Sequence, residues 1–405
     1  MPLKPYLEQI DFIEKNKLDT PVTFFDERNL QDALDTIKEV YGDDILIFYA
    51  LKSCYNKSIL EALLNTGVGV EVLSEFEYNL AVATGFKSIV LNGMGRSHEL
   101  LSRVTADNNI IIIDTTNDLK NLSQIAKSSG NKIRVGFGLR LDLSNLDENN
   151  SYISEEHPLG NDINSELVSK FMEFCQTHNN VNWEMLHIHI TINETSPQIY
   201  KEAISQISTV LQHIATRTNL LPKIINIGGG YEVYDPGLKP EFVKLFEEIK
   251  QAFRKHLGGY KIAIEPGRYL SAYAGYAIGK VLDIKQIAQK YWIVTDIGTN
   301  TLIPNPNARY KLAEPITNHS SGMFRIGITD GITSPANNIV FETRIDKLPD
   351  IGSYICIENT GAYTDVYSTF WAYPPYITCS VDNDGKMRVY RSEEDIEQLQ
   401  SIIFK

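Results

Sequence analysis

Two charged side chains stand just after short apolar runs of the sequence. Lys52 follows the run Ile45–Tyr49, and Glu265 comes directly after Lys261–Ile264. A lysine at the end of a buried strand is costly unless it is paired or used covalently, so Lys52 is either a structural lysine in a salt bridge or an amine that forms a Schiff base with a carbonyl group. A carboxylate at Glu265 could hydrogen-bond a ring nitrogen and keep it protonated.

Arg140 and His189 stand at the ends of two other apolar runs. Arg140 follows Ile133–Gly138, and His189 lies with His187 near the end of Met185–Ile190. A histidine at a strand end can lie flat against an aromatic ring, but it is a satisfied core residue about as often. Both residues are candidates for contacts to a bound molecule.

Three consecutive glycines, Gly228, Gly229 and Gly230, follow the run Lys223–Ile227. Backbone N–H groups of such a segment can approach a phosphate closely, although a tight turn explains the glycines equally well. Arg268 could contact the same phosphate or a structural carboxylate.

The apolar runs alternate with helical patterns. Because the runs are nearly continuous rather than alternating, they fit strands that are covered on both faces. Eight strand–helix alternations predict a (β/α)8 barrel, in which the carboxyl ends of the strands bring the polar residues together. The predicted strands are Ile45–Tyr49, Gly67–Val72, Ser88–Leu91, Ile110–Ile113, Ile133–Gly138, Met185–Ile190, Lys223–Ile227 and Lys261–Ile264. The predicted helices are Ser58–Asn65, Glu75–Thr84, His98–Ala106, Leu119–Ser128, Ser165–Thr177, Ser196–Arg217 and Phe242–His256.

After about Ala272, aromatic and β-branched runs are broken by Gly, Pro and Asn, which predicts a mostly antiparallel β domain. The segment Pro21–Phe25 is expected to return to this sheet. We therefore predict a barrel over residues 26–272 and a β domain built from residues 1–25 and 273–405.

Composition excludes several functional classes. The 405 residues carry 38 Lys+Arg against 51 Asp+Glu, a net charge of −13, and no basic run occurs, so nucleic acid is not expected as a partner. No apolar stretch is long enough for a membrane helix and no signal peptide is evident, which favours a cytoplasmic protein. The four cysteines lie far apart, so neither a metal site nor disulfides are expected.

Seven short motifs in this order resemble one family of enzymes over Pro21 to about Pro375. They are similar to those of the alanine-racemase-like (fold-type III) enzymes dependent on pyridoxal 5'-phosphate (PLP), and within these to the diaminopimelate/ornithine decarboxylase family. The motifs are Tyr49-Ala50-Leu51-Lys52, Glu71-Val72-Leu73-Ser74 with Glu77, Leu186-His187-Ile188-His189-Ile190, Asn226-Ile227-Gly228-Gly229-Gly230, Glu265-Pro266-Gly267-Arg268, Asp296-Ile297-Gly298 with Asn300, and Gly361-Ala362-Tyr363.

The resemblance implies roles for these residues. Lys52 would carry PLP, His189 would stack on its ring, and Glu265 would contact the pyridine nitrogen. The three glycines and Tyr363 would contact the phosphate, with Arg268 and Arg140 as further candidates for cofactor binding. The family also implies a homodimer with shared active sites and a small amino-acid-derived substrate.

The predicted substrate loop departs from the family pattern. Family members carry a cysteine that protonates Cα and an aspartate that binds a distal amine; here Thr333 and Asn337 stand at these positions, and Glu71 replaces an aspartate in the second motif. Without the aspartate charge, a free distal ammonium would lack its counter-ion. We therefore expect decarboxylation of a substrate with an acylated or absent distal amine, such as a citryl-diamino acid of carboxylate siderophore biosynthesis.

Three alternatives remain open on the sequence alone. A decarboxylase of carrier-tethered amino acids would also lack a free distal amine. A racemase of the same fold is disfavoured because that branch pairs the pyridine nitrogen with arginine rather than a carboxylate such as Glu265. A catalytically inactive regulatory homologue is suggested by the missing cysteine, but retention of Lys52 and Glu265 argues against it.

Overall fold

The computed structural model describes residues 6–143, 146, 158–303, 307–313, 322–331 and 339–403. The chain forms two compact units. We call the first the barrel unit; it comprises Leu34–Lys52 and Leu63–Tyr269. The second, the β unit, comprises Met1–Ala33, Ser53–Ala62 and Leu270–Lys405. The domain boundaries expected after residues 25 and 272 stay a prediction.

Strands and helices alternate through the first two thirds of the chain. The strands are β1 (Val22–Asp26), β2 (Ile45–Ala50), β3 (Gly69–Val72), β4 (Ile89–Leu91), β5 (Ile110–Ile113), β6 (Ile133–Gly138), β7 (Val181–His187), β8 (Ile224–Asn226), β9 (Lys261–Ile264), β10 (Gly275–Ile287), β11 (Lys290–Thr295), β12 (Lys311–Leu312), β13 (Phe324–Thr329), β14 (Ile339–Ile345), β15 (Tyr354–Glu358), β16 (Ile377–Val381) and β17 (Met387–Arg391). The helices are α1 (Leu7–Lys15), α2 (Glu27–Tyr41), α3 (Lys57–Asn65), α4 (Glu75–Thr84), α5 (His98–Ala106), α6 (Thr116–Ser128), α7 (Glu166–Thr177), α8 (Pro197–Arg217), α9 (Lys239–Leu257), α10 (Arg268–Ser271) and α11 (Glu393–Ile403).

Strands β2 to β9 form a closed barrel in which all neighbouring strands are parallel. Strand β5 consists of four isoleucines, all of them buried, as expected for a strand with side chains filling the barrel on one face and helices on the other. The predicted (β/α)8 barrel is therefore confirmed.

Short polar side chains cap the start of several barrel helices. The Ser74 hydroxyl accepts a hydrogen bond from the N–H of Glu77 at the start of α4. At the start of α6, Thr115 and Asp118 form a reciprocal capping box. Because such caps satisfy the N–H groups of the first helical turn, a helix can begin directly after a strand.

Strand β7 begins and ends earlier than predicted. It covers Val181–His187, whereas the prediction was Met185–Ile190. The first half of β7 alternates buried and half-buried side chains, so it lacks the continuous apolar run on which the prediction relied. As a result, His187 is the last residue of the strand and His189 lies beyond it.

The β unit contains the predicted sheet. Strand order is β14-β13-β11-β10-β1-β16-β17, with β15 paired to β10 and β12. Strand β1 pairs antiparallel with β10 and parallel with β16, so the N-terminal segment returns to the C-terminal sheet as expected. Helices α1, α2, α10 and α11 and strands β12, β14 and β17 were not predicted; β14, for example, interrupts its apolar residues with exposed polar ones.

No helix within the described residues is both long enough and apolar enough to cross a membrane.

Candidate active site

Five polar side chains meet at the carboxyl ends of the barrel strands. Lys52 follows β2, Glu71 lies in β3, His187 and Asn226 end β7 and β8, and Glu265 follows β9. We call these five residues the polar cluster. All of them belong to the barrel unit.

Strand register brings Glu265 between His187 and Asn226. His187 pairs with Asn226, which pairs with Ala263 two residues before Glu265. Since alternate residues point to the same side of a strand, the three side chains converge. Nε2 of His187 lies 3.1 Å from Oε2 of Glu265, and Nδ2 of Asn226 donates a hydrogen bond of 2.7 Å to Oε1.

The contacts of Glu265 keep it ionised. Burial is the largest single influence and by itself would raise the pKa of the Glu265 carboxyl, but His187, Lys52 and His189 together outweigh it and lower this pKa. Burial also acts against a charge on His187, yet Glu265 raises the pKa of the imidazole. The pair therefore favours a carboxylate beside an imidazolium.

Asn226 connects Glu265 with the glycine segment. Its Oδ1 accepts a hydrogen bond of 2.9 Å from the N–H of Gly228, while the Gly228 carbonyl accepts one of 2.8 Å from the N–H of Glu265. The Glu265 side chain and the turn at Gly228 are thus fixed by the same amide.

Lys52, just after β2, forms an ion pair with Glu71 of the neighbouring strand β3. Glu71 lies opposite Ala50, two residues before Lys52, and the distance from Nζ to Oε2 is 3.6 Å. The Glu71 side chain is fully buried, whereas 37% of the Lys52 side chain is exposed. Burial raises the pKa of Glu71 to about 7, although Lys52 opposes the increase.

Close contacts with neighbouring backbone explain the three glycines. A Cβ atom on Gly230 would lie 1.8 Å from the carbonyl oxygen of Thr191, and one on Gly229 would lie 2.3 Å from that of Glu265. Gly228 has φ of +72° and lies against His189, so a side chain is disfavoured there as well. The tight-turn interpretation is sufficient for these glycines, and a phosphate contact stays a prediction.

His189 and the two arginines lie outside the polar cluster. His189 is half-buried and lies beyond the end of β7, next to Gly228. Arg140 forms an ion pair of 2.8 Å with Asp162, and Arg268 is the half-buried first residue of α10. Their predicted contacts with a cofactor stay predictions.

Tyr363 belongs to the β unit. Its φ is +58°, and its N–H donates a hydrogen bond of 2.7 Å to the carbonyl of Ser53.

Thr333 and Asn337, the predicted substrate contacts, lie outside the described residues.

Sequence reasoning did not assign roles to His187, Asn226 or Glu71. The sequence places both His187 and His189 near the end of strand β7, and the structure shows that His187 is the one that contacts Glu265. Alternate residues of a strand point to the same side, so His187 could have been expected on the same face as His189 if the strand continued. The hydrogen bond from Asn226 to Glu265 could not be predicted, because it depends on the register between β8 and β9, which are separated in the sequence.

Comparison with known proteins identifies the family. Residues 27–272 match the model of the pyridoxal-dependent decarboxylases, specifically their pyridoxal-binding domain. The chain belongs to this decarboxylase family. It is therefore a PLP-dependent carboxy-lyase.

Relatives of this decarboxylase extend over nearly its full length. It is 24% identical to the diaminopimelate decarboxylase of Aquifex aeolicus, with 98% of the chain and 96% of that protein covered. It is 26% identical to the diaminopimelate decarboxylase of Helicobacter pylori, with 94% of each covered.

Solved structures share the fold of the decarboxylase. The Helicobacter pylori diaminopimelate decarboxylase complexed with L-lysine has a TM-score of 0.79 at 22% identity, with 95% of this chain and 97% of that one covered. The lysine/ornithine decarboxylase of Vibrio vulnificus complexed with putrescine has a TM-score of 0.75 at 18% identity, with 94% and 99% covered.

The polar cluster fits a PLP molecule chemically. Each Glu265 oxygen accepts one hydrogen bond and retains a lone pair, so the carboxylate can still accept a hydrogen bond from a protonated ring nitrogen. Lys52, in contrast, is partly exposed and can be reached by an aldehyde. The decarboxylase thus has an ionised acceptor and an accessible amine at the same end of its barrel.

Proposed function

We propose that this enzyme removes the α-carboxylate of an L-amino-acid-derived substrate whose distal amine is acylated or absent. The assignment of the reaction type is supported by one observation: Glu265 is buried and is held as a carboxylate by His187 and Asn226. A citryl-diamino acid of carboxylate siderophore biosynthesis is the substrate that we consider first.

Bound PLP supplies an electron sink for the electron pair that remains on Cα when CO2 leaves. Glu265 would hold a proton on the pyridine nitrogen, because an ionised carboxylate stabilises a protonated ring and a neutral group does not. His187 and Asn226 would position this carboxylate. Lys52 would anchor the cofactor and His189 would lie against the ring.

The remaining contacts in the proposal involve the phosphate and the substrate. The residues proposed to bind the cofactor are Gly228, Gly229, Gly230, Arg268, Tyr363 and Arg140.

At the substrate end, Asn337 can donate or accept a hydrogen bond but cannot neutralise an ammonium, which supports an uncharged or anionic distal group. Thr333 replaces the cysteine that would otherwise donate a proton to Cα.

A homodimer with shared active sites and a cytoplasmic location complete the proposal. The first rests on the family resemblance. The second rests on the cysteine usage, since the four widely separated cysteines do not form a disulfide framework.

Mass spectrometry of reaction mixtures tests the substrate class. The purified holoenzyme is incubated with free ornithine, lysine and diaminopimelate and with their N-acylated forms, including citryl conjugates, and loss of CO2 is recorded. We expect loss of CO2 from acylated substrates and at least about tenfold less from the free diamino acids, since their ammonium group lacks a counter-charge. Preferential turnover of a free diamino acid would contradict the proposal.

The same mixtures separate the alternatives. Inversion at Cα without loss of CO2 would indicate a racemase. Turnover confined to a carrier-bound amino acid would indicate the tethered substrate. Absence of any PLP-dependent reaction across the panel would favour the regulatory homologue.

A further inference from the structure

The carboxylate of Glu71 is fully buried. It lies within β3 with no exposed surface, and neither of its oxygens accepts a hydrogen bond within the described part of the chain. Buried carboxylates are normally satisfied by donors, because an unsatisfied charge is expensive away from water. Glu71 therefore needs a compensating positive charge nearby.

Lys52 provides this charge. Its Nζ lies 3.6 Å from Oε2 of Glu71, close enough for an ion pair but beyond a hydrogen bond. Glu71 lies in β3 and Lys52 follows the neighbouring parallel strand β2, and the barrel fixes the register of these two strands. The backbone positions of both residues are thus set by the fold, and the buried Glu71 side chain cannot turn to solvent.

Charged groups on four other elements surround Glu71. Burial is the largest influence and raises its pKa; Lys52 and His187 favour the carboxylate, whereas Glu265 and Glu77 oppose it. With a pKa of about 7, Glu71 gains its full charge as the pH rises above neutrality. In this range it strengthens the attraction for a positive charge on Lys52.

We propose that Glu71 is the counter-ion of the Lys52 nitrogen and keeps this nitrogen protonated while it is joined to the cofactor. The inference rests on the proposed function, in which Lys52 anchors PLP. The nitrogen is positively charged when protonated, both as a free ammonium and in the covalent linkage. Raising the pH breaks its N–H bond and passes the proton to water, and a negative charge 3.6 Å away postpones that loss. Glu71 is thus a positioning residue that acts on the charge of Lys52.

The test is a pH titration of the holoenzyme followed by visible absorption, which changes when the linkage nitrogen loses its proton. Removing the counter-charge in Glu71→Gln should move the midpoint at least about one pH unit lower, because the protonated nitrogen is destabilised. In Glu71→Asp the charge is kept but lies farther away, and we expect less than about half of that shift.

Glu77→Gln is the matched control. Glu77 is also largely buried and its charge also interacts with that of Lys52, but it accepts a hydrogen bond of 2.7 Å from the N–H of Leu73. The same chemical change should leave the midpoint within about 0.3 pH units of the wild type, since this carboxylate is not the paired one. A purely structural role for Glu71 would alter stability without moving the midpoint.

Two results would overturn the inference. The first is an unchanged midpoint in Glu71→Gln with the linkage absorption present. If this variant does not fold, Glu71→Met fills a similar volume without a charge, and an unchanged midpoint there has the same meaning. The second is linkage absorption that persists in Lys52→Ala, which would contradict the proposed function itself and the inference with it.

Discussion

The imidazole of His187 lies 3.1 Å from the carboxylate of Glu265, and both side chains are buried. Asn226 donates to the other carboxylate oxygen, so Glu265 is held from two sides. The carboxylate retains its charge in a site where burial alone would favour the neutral acid.

Replacing this charge should slow the reaction without releasing the cofactor. In Glu265→Gln, the neutral amide cannot stabilise a protonated ring nitrogen, so we expect kcat to fall by at least about 100-fold while PLP stays bound. Single-turnover release of CO2 and the absorption of bound PLP measure the two effects separately. An unchanged rate would remove Glu265 from the mechanism.

His187 should control the acidic side of the pH profile. In His187→Gln the charge that lowers the pKa of Glu265 is lost, so this pKa rises because burial then dominates. Glu265 then becomes protonated at a higher pH, and the decline of kcat/KM on the acidic side should move to higher pH. His213→Gln, on the exposed face of α8, is the control and should leave the profile in place. A profile unchanged in both variants would contradict this role.

Lys52 should be indispensable. Lys52→Ala removes both the covalent anchor and the amine that recaptures the cofactor, so turnover and the lysine-dependent visible absorption should disappear. Lys57→Ala is a matched control, because Lys57 is exposed and pairs with Glu61. Normal turnover in Lys52→Ala would show that the central assignment is wrong.

Thr333 should contribute little to proton transfer. An alkoxide is far more basic than a thiolate, whereas proton transfer favours pKa values near the working pH, so water, His189 or Lys52 is expected to supply the Cα proton. Thr333→Ala should change kcat less than about tenfold. A loss beyond about 100-fold would show a direct role for the hydroxyl.

Asn337 should set the preference at the distal end of the substrate. An aspartate would repel a polycarboxylate such as a citryl group and would return a counter-charge to an ammonium. Asn337→Asp should therefore lower kcat/KM for the acylated substrate and raise it for free ornithine or lysine.

The ratio of the two kcat/KM values is the quantity to compare, since general damage to the fold cancels in it. Asn338→Asp places the same charge one residue along and serves as the control. A ratio within about twofold of the wild type would mean that the distal end binds elsewhere.

Sequence by itself determined the barrel and the order of its polar residues. The runs Ile110–Ile113 and Lys261–Ile264 became strands with the predicted bounds, because a strand covered on both faces must be apolar throughout. Lys52 and Glu265 could be placed at the same end of the barrel because all parallel strands end there.

Only the tertiary structure decided which of these residues touch. The contact between His187 and Glu265 depends on the register of β7, β8 and β9, and that of Lys52 with Glu71 depends on β2 and β3. Register is fixed by hydrogen bonds between segments far apart in the chain and by packing of the barrel interior, neither of which appears in a local pattern. The charges follow from the same contacts, since burial and distance set the pKa values of Glu71 and Glu265 and both are properties of the folded chain.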